Sequence, residues 1–122
     1  MKPFLSTKDL HCLELVLDAI ARIEEYTGLY ATADEFNADY RGFDATLMNF
    51  VVIGEMVAKL SDEVKNRHSD VEWQKIKGFR NIVAHDYFGI DAEEVWQIIK
   101  NKIPNLKSDI NRIISIQTTT CG

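Results

Sequence analysis

No apolar run in the sequence approaches the roughly 20 residues that a helix needs to cross a bilayer. The first ten residues, MKPFLSTKDL, contain no long apolar segment, so they do not resemble a secretory signal. Cysteine is scarce, because Cys12 and Cys121 are the only two, and such a distant pair makes neither a zinc site nor a disulfide framework. From these absences we expect a cytoplasmic protein with reduced thiols.

Positive charge is also in short supply, since 14 lysines and arginines face 19 aspartates and glutamates and the net charge is −5. This balance argues against a protein that coats nucleic acid by bulk electrostatics. The charge is uneven: residues 1–58 hold ten acids and four bases, whereas residues 59–88 hold six bases and five acids. The middle segment is therefore mildly favourable to phosphate, although a solvated helix face explains it equally well.

The sequence shows no strand-like alternation, no internal repeat and no low-complexity segment. Apolar residues instead recur at helical spacing along most of the chain. With 122 residues and a hydrophobic content of 46%, the chain fits one globular domain with its own core. We therefore predict an all-α fold, an antiparallel bundle of four to five helices, as a single domain over residues 1–122 in which residues 116–122 form a flexible tail.

The first long helix is predicted to start at Ser6, because Ser6 and Asp9 resemble a capping box. Apolar residues then repeat at helical spacing as far as Ile23. Thr27 and Gly28 supply the signal that ends this helix.

A second long helix is predicted to follow a short helical piece opened by Thr32 and Asp34, with Asp44 as its cap. It is expected to fade near residues 66–70. Gly54 lies in the middle of its apolar stripe, where glycine costs about 1 kcal/mol relative to alanine. A close helix–helix contact at Gly54 is the expected compensation.

A third helix is predicted to begin at Trp73, to contain Arg80 and to end at Gly89. Asp91 opens the next helix with another start that resembles a capping box. Pro104 either kinks that helix or begins the one after it.

Residues 80–91 read RNIVAHDYFGID and place Arg80, His85 and Tyr87 in an otherwise apolar segment. At about 100° per residue on a helix, Tyr87 projects in nearly the same direction as Arg80, whereas His85 points roughly 140° away. The three side chains therefore do not converge on a straight helix. Either the helix unwinds near His85, as Gly89 allows, or two copies of the helix share one site across a twofold axis.

These residue types support phosphodiester chemistry. His85 can exchange protons with a ribose hydroxyl or a leaving oxygen, a step that contributes about 10²–10⁴ in rate. Arg80 offers a charged fork to a pentacovalent phosphate, and Asn81 could add a neutral donor to the same oxygen. Because Asp86 and Asp91 are separated by a turn, they do not form a metal cluster, and metal-free attack by the neighbouring 2′-hydroxyl is more natural than two-metal hydrolysis.

The stretch resembles the signature of HEPN-domain toxins, which is an arginine, four residues, a histidine, one residue and a tyrosine. It more closely resembles the HepT-like family, in which Arg-Asn opens the motif. The flanking segments VVIGEMVAKLSDEV, EWQKIKGFRN and FGIDAEEVWQIIKNKIPNL resemble that family's blocks in the same order. Together they cover roughly residues 47–110, and the N-terminal DAIARIEEYTG also fits.

The resemblance implies a HEPN-type helical bundle, a homodimer with two motifs at one interface, and metal-independent RNA cleavage without a cofactor. Arg80 and His85 would be the catalytic pair, with Asn81 in support. The resemblance also implies a type VII-like toxin–antitoxin system, in which a small nucleotidyltransferase antitoxin of the MntA kind adenylylates Tyr87. AMP on Tyr87 would bring bulk and negative charge to the phosphate site and so inactivate it.

Two further residues are candidates for supporting roles, Glu55 and Asp86, although the residue after Gly54 is more commonly a surface or interhelix hydrogen-bonding group. One departure from the family pattern is visible, because Glu72 stands before Trp73 where the family commonly has proline. This position is a helix start and not part of the site.

Other interpretations of the same residues stay open. The chain can be a non-catalytic subunit that binds a nucleotide or a partner within a nucleotidyltransferase complex, or a purely structural helical adaptor. His85 can act as a helix cap or dipole partner, and Tyr87 can pack its ring in an interface. Replacing His85 by alanine distinguishes these cases, since an enzyme loses toxicity while a binding module loses affinity for its ligand.

Overall fold

The computed structural model describes the backbone of residues 5–81 and 91–121 and the side chains of residues 5–81 and 91–116. Within these ranges the chain forms helices and no strand, and no helix there is long and apolar enough to cross a membrane. The predicted all-α fold is confirmed. The helices are α1 (Thr7–Thr27), α2 (Ala33–Ala38), α3 (Tyr40–Lys59), α4 (Asp62–Arg67), α5 (Trp73–Lys77), a 3₁₀ helix (Gly78–Asn81), α6 (Ala92–Asn101) and α7 (Ile103–Cys121).

Helix α3 is the centre of the bundle, because α1, α2, α5 and the 3₁₀ helix all contact it. The start of α1 lies beside the end of α3, where the backbone N–H of Ser61 donates to Asp9. Helices α1 and α3 are therefore antiparallel. Helix α7 also packs on α1 in the antiparallel sense, since Lys107 near its start lies 3.1 Å from Glu24 near the end of α1.

The core is built from the apolar stripes that the sequence predicts for the long helices. Their side chains are removed from water almost completely, which is the main favourable term in folding. The stripes of α1 and α3 face each other, and α7 adds a third. The largest fully buried side chains of these three helices are Leu13, Val16, Ile20, Ile23, Leu47, Phe50, Ile53, Val57, Ile103, Ile110 and Ile113.

The second long helix differs at both ends from the prediction. It begins five residues earlier than a cap at Asp44 would place it, because Asp39 is the N-cap and its carboxylate accepts from the Arg41 amide at 3.2 Å. It ends at Lys59, since Ser61 caps a separate helix, α4, through its hydroxyl. Short polar side chains that bond to nearby amides compete with helix continuation, and here two of them move the boundaries.

Asp9 has a different partner from the one the capping-box pattern predicts. Its amide donates to Ser6 Oγ at 3.0 Å, as expected for a capped helix start. Its buried carboxylate, however, accepts from the Ser61 backbone N–H at 2.9 Å and from the Ser61 hydroxyl at 2.7 Å. Asp9 therefore ties the start of α1 to the junction between α3 and α4.

The first of the two C-terminal helices begins where the sequence predicts. Asp91 is the N-cap of α6, and Lys102 alone separates α6 from α7. Pro104 is the second residue of α7, so it helps to begin a helix and does not kink one. The helical backbone of α7 continues to Cys121, through the segment that the sequence assigns to a flexible tail, and no proline or glycine follows Pro104 before that point.

We predict that Asp9→Ala lowers the free energy of unfolding by about 1–3 kcal/mol, because it leaves the Ser61 donors without their charged acceptor. Urea denaturation measures this loss. Asp18→Ala, at an exposed position on the same helix, serves as the control and should change stability by less than about 0.5 kcal/mol. Equal stability of the two variants would contradict a role for the Asp9–Ser61 link.

Candidate functional site

Trp73 marks the start of the segment that leads to the motif. Its indole ring is buried, and Nε1 donates to the backbone carbonyl of His68 at 2.9 Å. Its amide donates to the carbonyl of Val71 at 2.8 Å. These two hydrogen bonds hold the connection between α4 and α5, so the tryptophan sets the orientation of α5 relative to that connection.

Glu72 occupies the position where the family resemblance implies proline. It makes no side-chain cap for α5, and its carboxylate instead lies 2.9 Å from Lys75 Nζ and 3.9 Å from Lys102 Nζ. The hydrogen bond from Lys75, helped by the charges of both lysines, lowers the pKa of Glu72. The pairs are exposed and contribute little stability, but α5 still starts at the expected residue.

The predicted third helix does not continue as an α-helix through Arg80. Helix α5 ends at Lys77, and the next residues form the 3₁₀ helix Gly78–Asn81. The backbone N–H of Gly78 donates to the carbonyls of Gln74 and Ile76, which closes α5. The side-chain directions expected for Arg80, His85 and Tyr87 on a straight α-helix therefore do not apply, because the chain changes its helical geometry two residues before Arg80.

Two contacts seat the 3₁₀ helix on α3. The ring of Phe79 meets the buried ring of Phe50 edge-on, with centroids 5.1 Å apart. One turn further along α3, the backbone of Gly54 approaches the backbone at Lys77 and Arg80 closely. The close contact predicted at Gly54 is therefore confirmed, with the 3₁₀ helix as the neighbour. Phe79 is not among the residues predicted for the site, although its place next to the Arg-Asn pair is a signal that could have identified it.

The predicted site residues fall into two groups. Arg80 and Asn81 lie on the 3₁₀ helix, and Glu55 lies on α3 directly after the glycine that this helix contacts. The fold therefore brings the elements that carry these three residues together. His85, Asp86 and Tyr87 lie outside the described residues.

Arg80 is the charged residue of the 3₁₀ helix. Its side chain is half-buried, and within the described part of the chain it forms no ion pair. Asn81 next to it is exposed. A guanidinium without a carboxylate partner can bind an anion in a bidentate manner, which suits phosphate.

A polar cleft of about 420 Å³ lies beside the segment that carries Arg80, between α4 and α5. Lys65 and Lys77 line it together with amide and hydroxyl side chains, and Asp62 and Glu72 add negative charge at its walls. Its mixed charge matches the modest basic character of residues 59–88. Across both described ranges, no three His, Cys, Asp or Glu side chains come together as a metal site.

His68 is the titratable group whose burial matters for this region. Its side chain is buried, and desolvation lowers the pKa of His68 below its ordinary value of 6.5. Arg112 and, less strongly, Arg67 act in the same direction, while Asp70 opposes them. The imidazole is therefore neutral in the folded protein at physiological pH. The backbone carbonyl of the same histidine accepts the hydrogen bond from Trp73.

Comparison with protein families gives one match, because the profile described as "Ribonuclease HepT-like" covers residues 16–113. The matched range spans α1 to α7 and includes every predicted site residue. No solved structure matches the chain significantly.

Several archaeal proteins are similar to the chain. A Methanocaldococcus jannaschii protein named as a gamma-glutamylcyclotransferase and candidate RNase is 31% identical over 84% of this chain, and the match spans 46% of that relative's length. A second candidate RNase of the same organism is 37% identical over 68% of this chain and 69% of its own. "Probable ribonuclease HepT" of Thermococcus cleftensis is 30% identical over 83% of this chain and 91% of its own.

We predict that the protein loses stability as the pH falls below about 6.5, because the unfolded chain takes up a proton at His68 that the folded chain resists. Above that pH the contribution of His68 is constant. Urea denaturation between about pH 7.5 and pH 5 should show a smaller loss for His68→Gln than for the wild type. His11→Gln, at an exposed position on α1, is the control, and an unchanged pH dependence in His68→Gln would contradict the prediction.

Proposed function

Because the chain belongs to the HepT-like ribonuclease family, we propose that it is the ribonuclease toxin of a HEPN and nucleotidyltransferase toxin–antitoxin pair. The names of its relatives support RNase activity at the level of the family. The substrate class is single-stranded RNA with a free 2′-hydroxyl beside the scissile phosphate. The partner is a small nucleotidyltransferase that acts as the antitoxin.

The observation that carries this proposal is the placement of Arg80. A half-buried guanidinium without an ion pair in the described residues lies on a short helix that is seated on the core. A cation held in this way neutralises the charge that builds up on a phosphorane oxygen, and it needs little reorganisation when the substrate reacts. Asn81 supplies a second donor from the exposed side of the same helix.

In the proposed reaction the 2′-oxygen attacks phosphorus while the bond from phosphorus to the 5′-oxygen breaks. The products are a 2′,3′-cyclic phosphate and a 5′-hydroxyl, so no metal and no external oxidant or reductant takes part. His85 transfers a proton at the entering or the leaving oxygen, which is the task for which an imidazole is suited. Glu55 and Asp86 are available to orient these groups.

We also propose that the site is completed in a homodimer, with two copies of the motif facing each other. Neutralisation follows from transfer of AMP from ATP to the hydroxyl of Tyr87, with release of pyrophosphate. The new phosphate adds negative charge and bulk two residues from His85. Its charge competes with RNA phosphate for Arg80.

We predict that the purified protein cleaves RNA in the presence of EDTA and that Arg80→Ala slows cleavage by about 10²–10³, the typical effect of removing one oxyanion donor. His85→Ala should slow it by about 10²–10⁴. Gel analysis of end-labelled RNA measures both rates and identifies the cyclic phosphate. Arg22→Ala, which removes an exposed arginine from α1, is the matched control and should cleave normally.

Mixing the two inactive variants tests the shared site. If Arg80 of one subunit works with His85 of the other, a mixed dimer of Arg80→Ala and His85→Ala retains one intact site and recovers activity. If both groups act within one subunit, the mixture stays inactive. Cleavage that disappears in EDTA, or RNA that stays intact while nucleotide or partner binding is normal, would contradict the proposed enzyme and support a binding subunit.

A second prediction concerns the antitoxin. Incubation with the nucleotidyltransferase partner and ATP should increase the intact mass by one or more AMP units, and peptide mapping should place the first on Tyr87. Tyr87→Phe should remain unmodified, and Tyr26→Phe, on α1, should be modified like the wild type. An unchanged mass in a neutralised complex would show that binding alone inhibits the protein.

A further inference from the structure

Gly54 marks the point where the 3₁₀ helix is nearest to the backbone of α3. A methyl group built at its Cα would lie 2.9 Å from the carbonyl oxygen of Lys77 and 3.0 Å from Cβ of Arg80, and closer still to the amide nitrogen of Arg80. Real Cβ atoms essentially never come as close to a neighbour as the first and last of these contacts, to the Lys77 oxygen and the Arg80 nitrogen. The residues around Arg80 therefore occupy the space that a side chain at position 54 would fill.

The backbone conformation gives no other reason for a glycine at this position. Gly54 lies inside α3, and no glycine in the described ranges has a positive φ angle. Glycine within a helix is unfavourable because it loses more backbone freedom on folding than alanine does. The close approach of the Arg80 segment is the feature that offsets this loss.

We infer that Gly54 is a positioning residue for Arg80, because its missing side chain sets how deeply the 3₁₀ helix sits on α3. The inference rests on the proposed function, in which Arg80 binds the reacting phosphate. The neighbours of Gly54 are backbone atoms and a Cβ, so a rotamer change cannot make room for a methyl group. The backbone that carries Arg80 has to move instead.

The surrounding contacts direct that movement to Arg80. Phe79, one residue before it, is held by the buried Phe50 ring on the same helix α3. Trp73 holds the start of α5 through the carbonyl of His68. Because Trp73 and Phe79 are held in place, a methyl group at position 54 displaces the carbonyl of Lys77 and the backbone of Arg80, and the guanidinium moves with that backbone. A displacement of about 1 Å in a group that positions a substrate can cost 10²-fold in rate.

The test compares Gly54→Ala with Gly78→Ala. Gly78 lies in the same 3₁₀ helix with a φ of −63°, and a methyl group there would meet nothing within 4 Å. We expect Gly54→Ala to lower kcat for RNA cleavage by about 10- to 100-fold with a small change in KM, because the displaced group acts on the transition state. Gly78→Ala should cleave RNA like the wild type.

A double-mutant cycle separates positioning from general destabilisation. If Gly54 acts through Arg80, then Arg80→Ala should have a much smaller effect on kcat in the Gly54→Ala background than in the wild type. Full additivity of the two losses, or a normal kcat in a folded Gly54→Ala protein, would overturn the inference. If Gly54→Ala is unfolded at the assay temperature, Phe79→Leu takes its place in the cycle. This variant replaces the ring that contacts Phe50, and the same criteria apply to it.

Crystal structures of the wild type and the two glycine variants give a readout that does not depend on activity. The segment around Arg80 should move away from α3 in Gly54→Ala and keep its place in Gly78→Ala. An unmoved segment in Gly54→Ala would overturn the inference even if that variant cleaves RNA slowly. A wild type that cleaves no RNA would instead refute the proposed function, and the displacement would still decide whether Gly54 positions Arg80.

Discussion

The contact between α3 and the 3₁₀ helix Gly78–Asn81 is the constraint on which the candidate site depends. Four residues cannot build a core of their own, so the position of Arg80 has to come from a neighbouring element. Helix α3 supplies it in two ways, through the ring of Phe50 and through the absent side chain of Gly54. Because α3 is itself packed against α1 and α2, the arginine is tied to the helix at the centre of the bundle.

Further contacts support this arrangement from a distance. The Asp9–Ser61 hydrogen bonds set where α3 gives way to α4, and the bond from Trp73 to His68 sets where α5 begins. The Trp73 bond is buried and the Asp9–Ser61 bonds are partly buried, and removal from water strengthens such polar contacts. Together they determine how the chain leaves α3, passes through α4 and α5, and returns to α3, against which the 3₁₀ helix packs.

Local rules predicted much of the fold. The stripes on α1, α3 and α7 and the caps at Ser6 and Asp91 follow from patterns within a few residues, and the structure has them. Of the two roles open for Pro104, the structure has the helix start. The prediction was wrong where a pattern fits two places equally well. Asp39 and Asp44 both precede a helical stripe, and the caps at Asp39 and Ser61 give α3 boundaries that differ from the predicted ones.

The sequence by itself determined the helical class, the core stripes and the motif residues Arg80, Asn81, His85 and Tyr87. Apolar periodicity and residue type are properties of short stretches of sequence, so they can be identified without the fold. It also indicated that Gly54 needs a close neighbour. Only the tertiary structure decided which segment that neighbour is, that α5 ends at Lys77, and that Asp9 bonds to Ser61. The Gly54 contacts join residues 23 and 26 positions apart, and the Asp9–Ser61 bond joins residues 52 positions apart. Contacts at that separation depend on how helices pack, which no local pattern encodes.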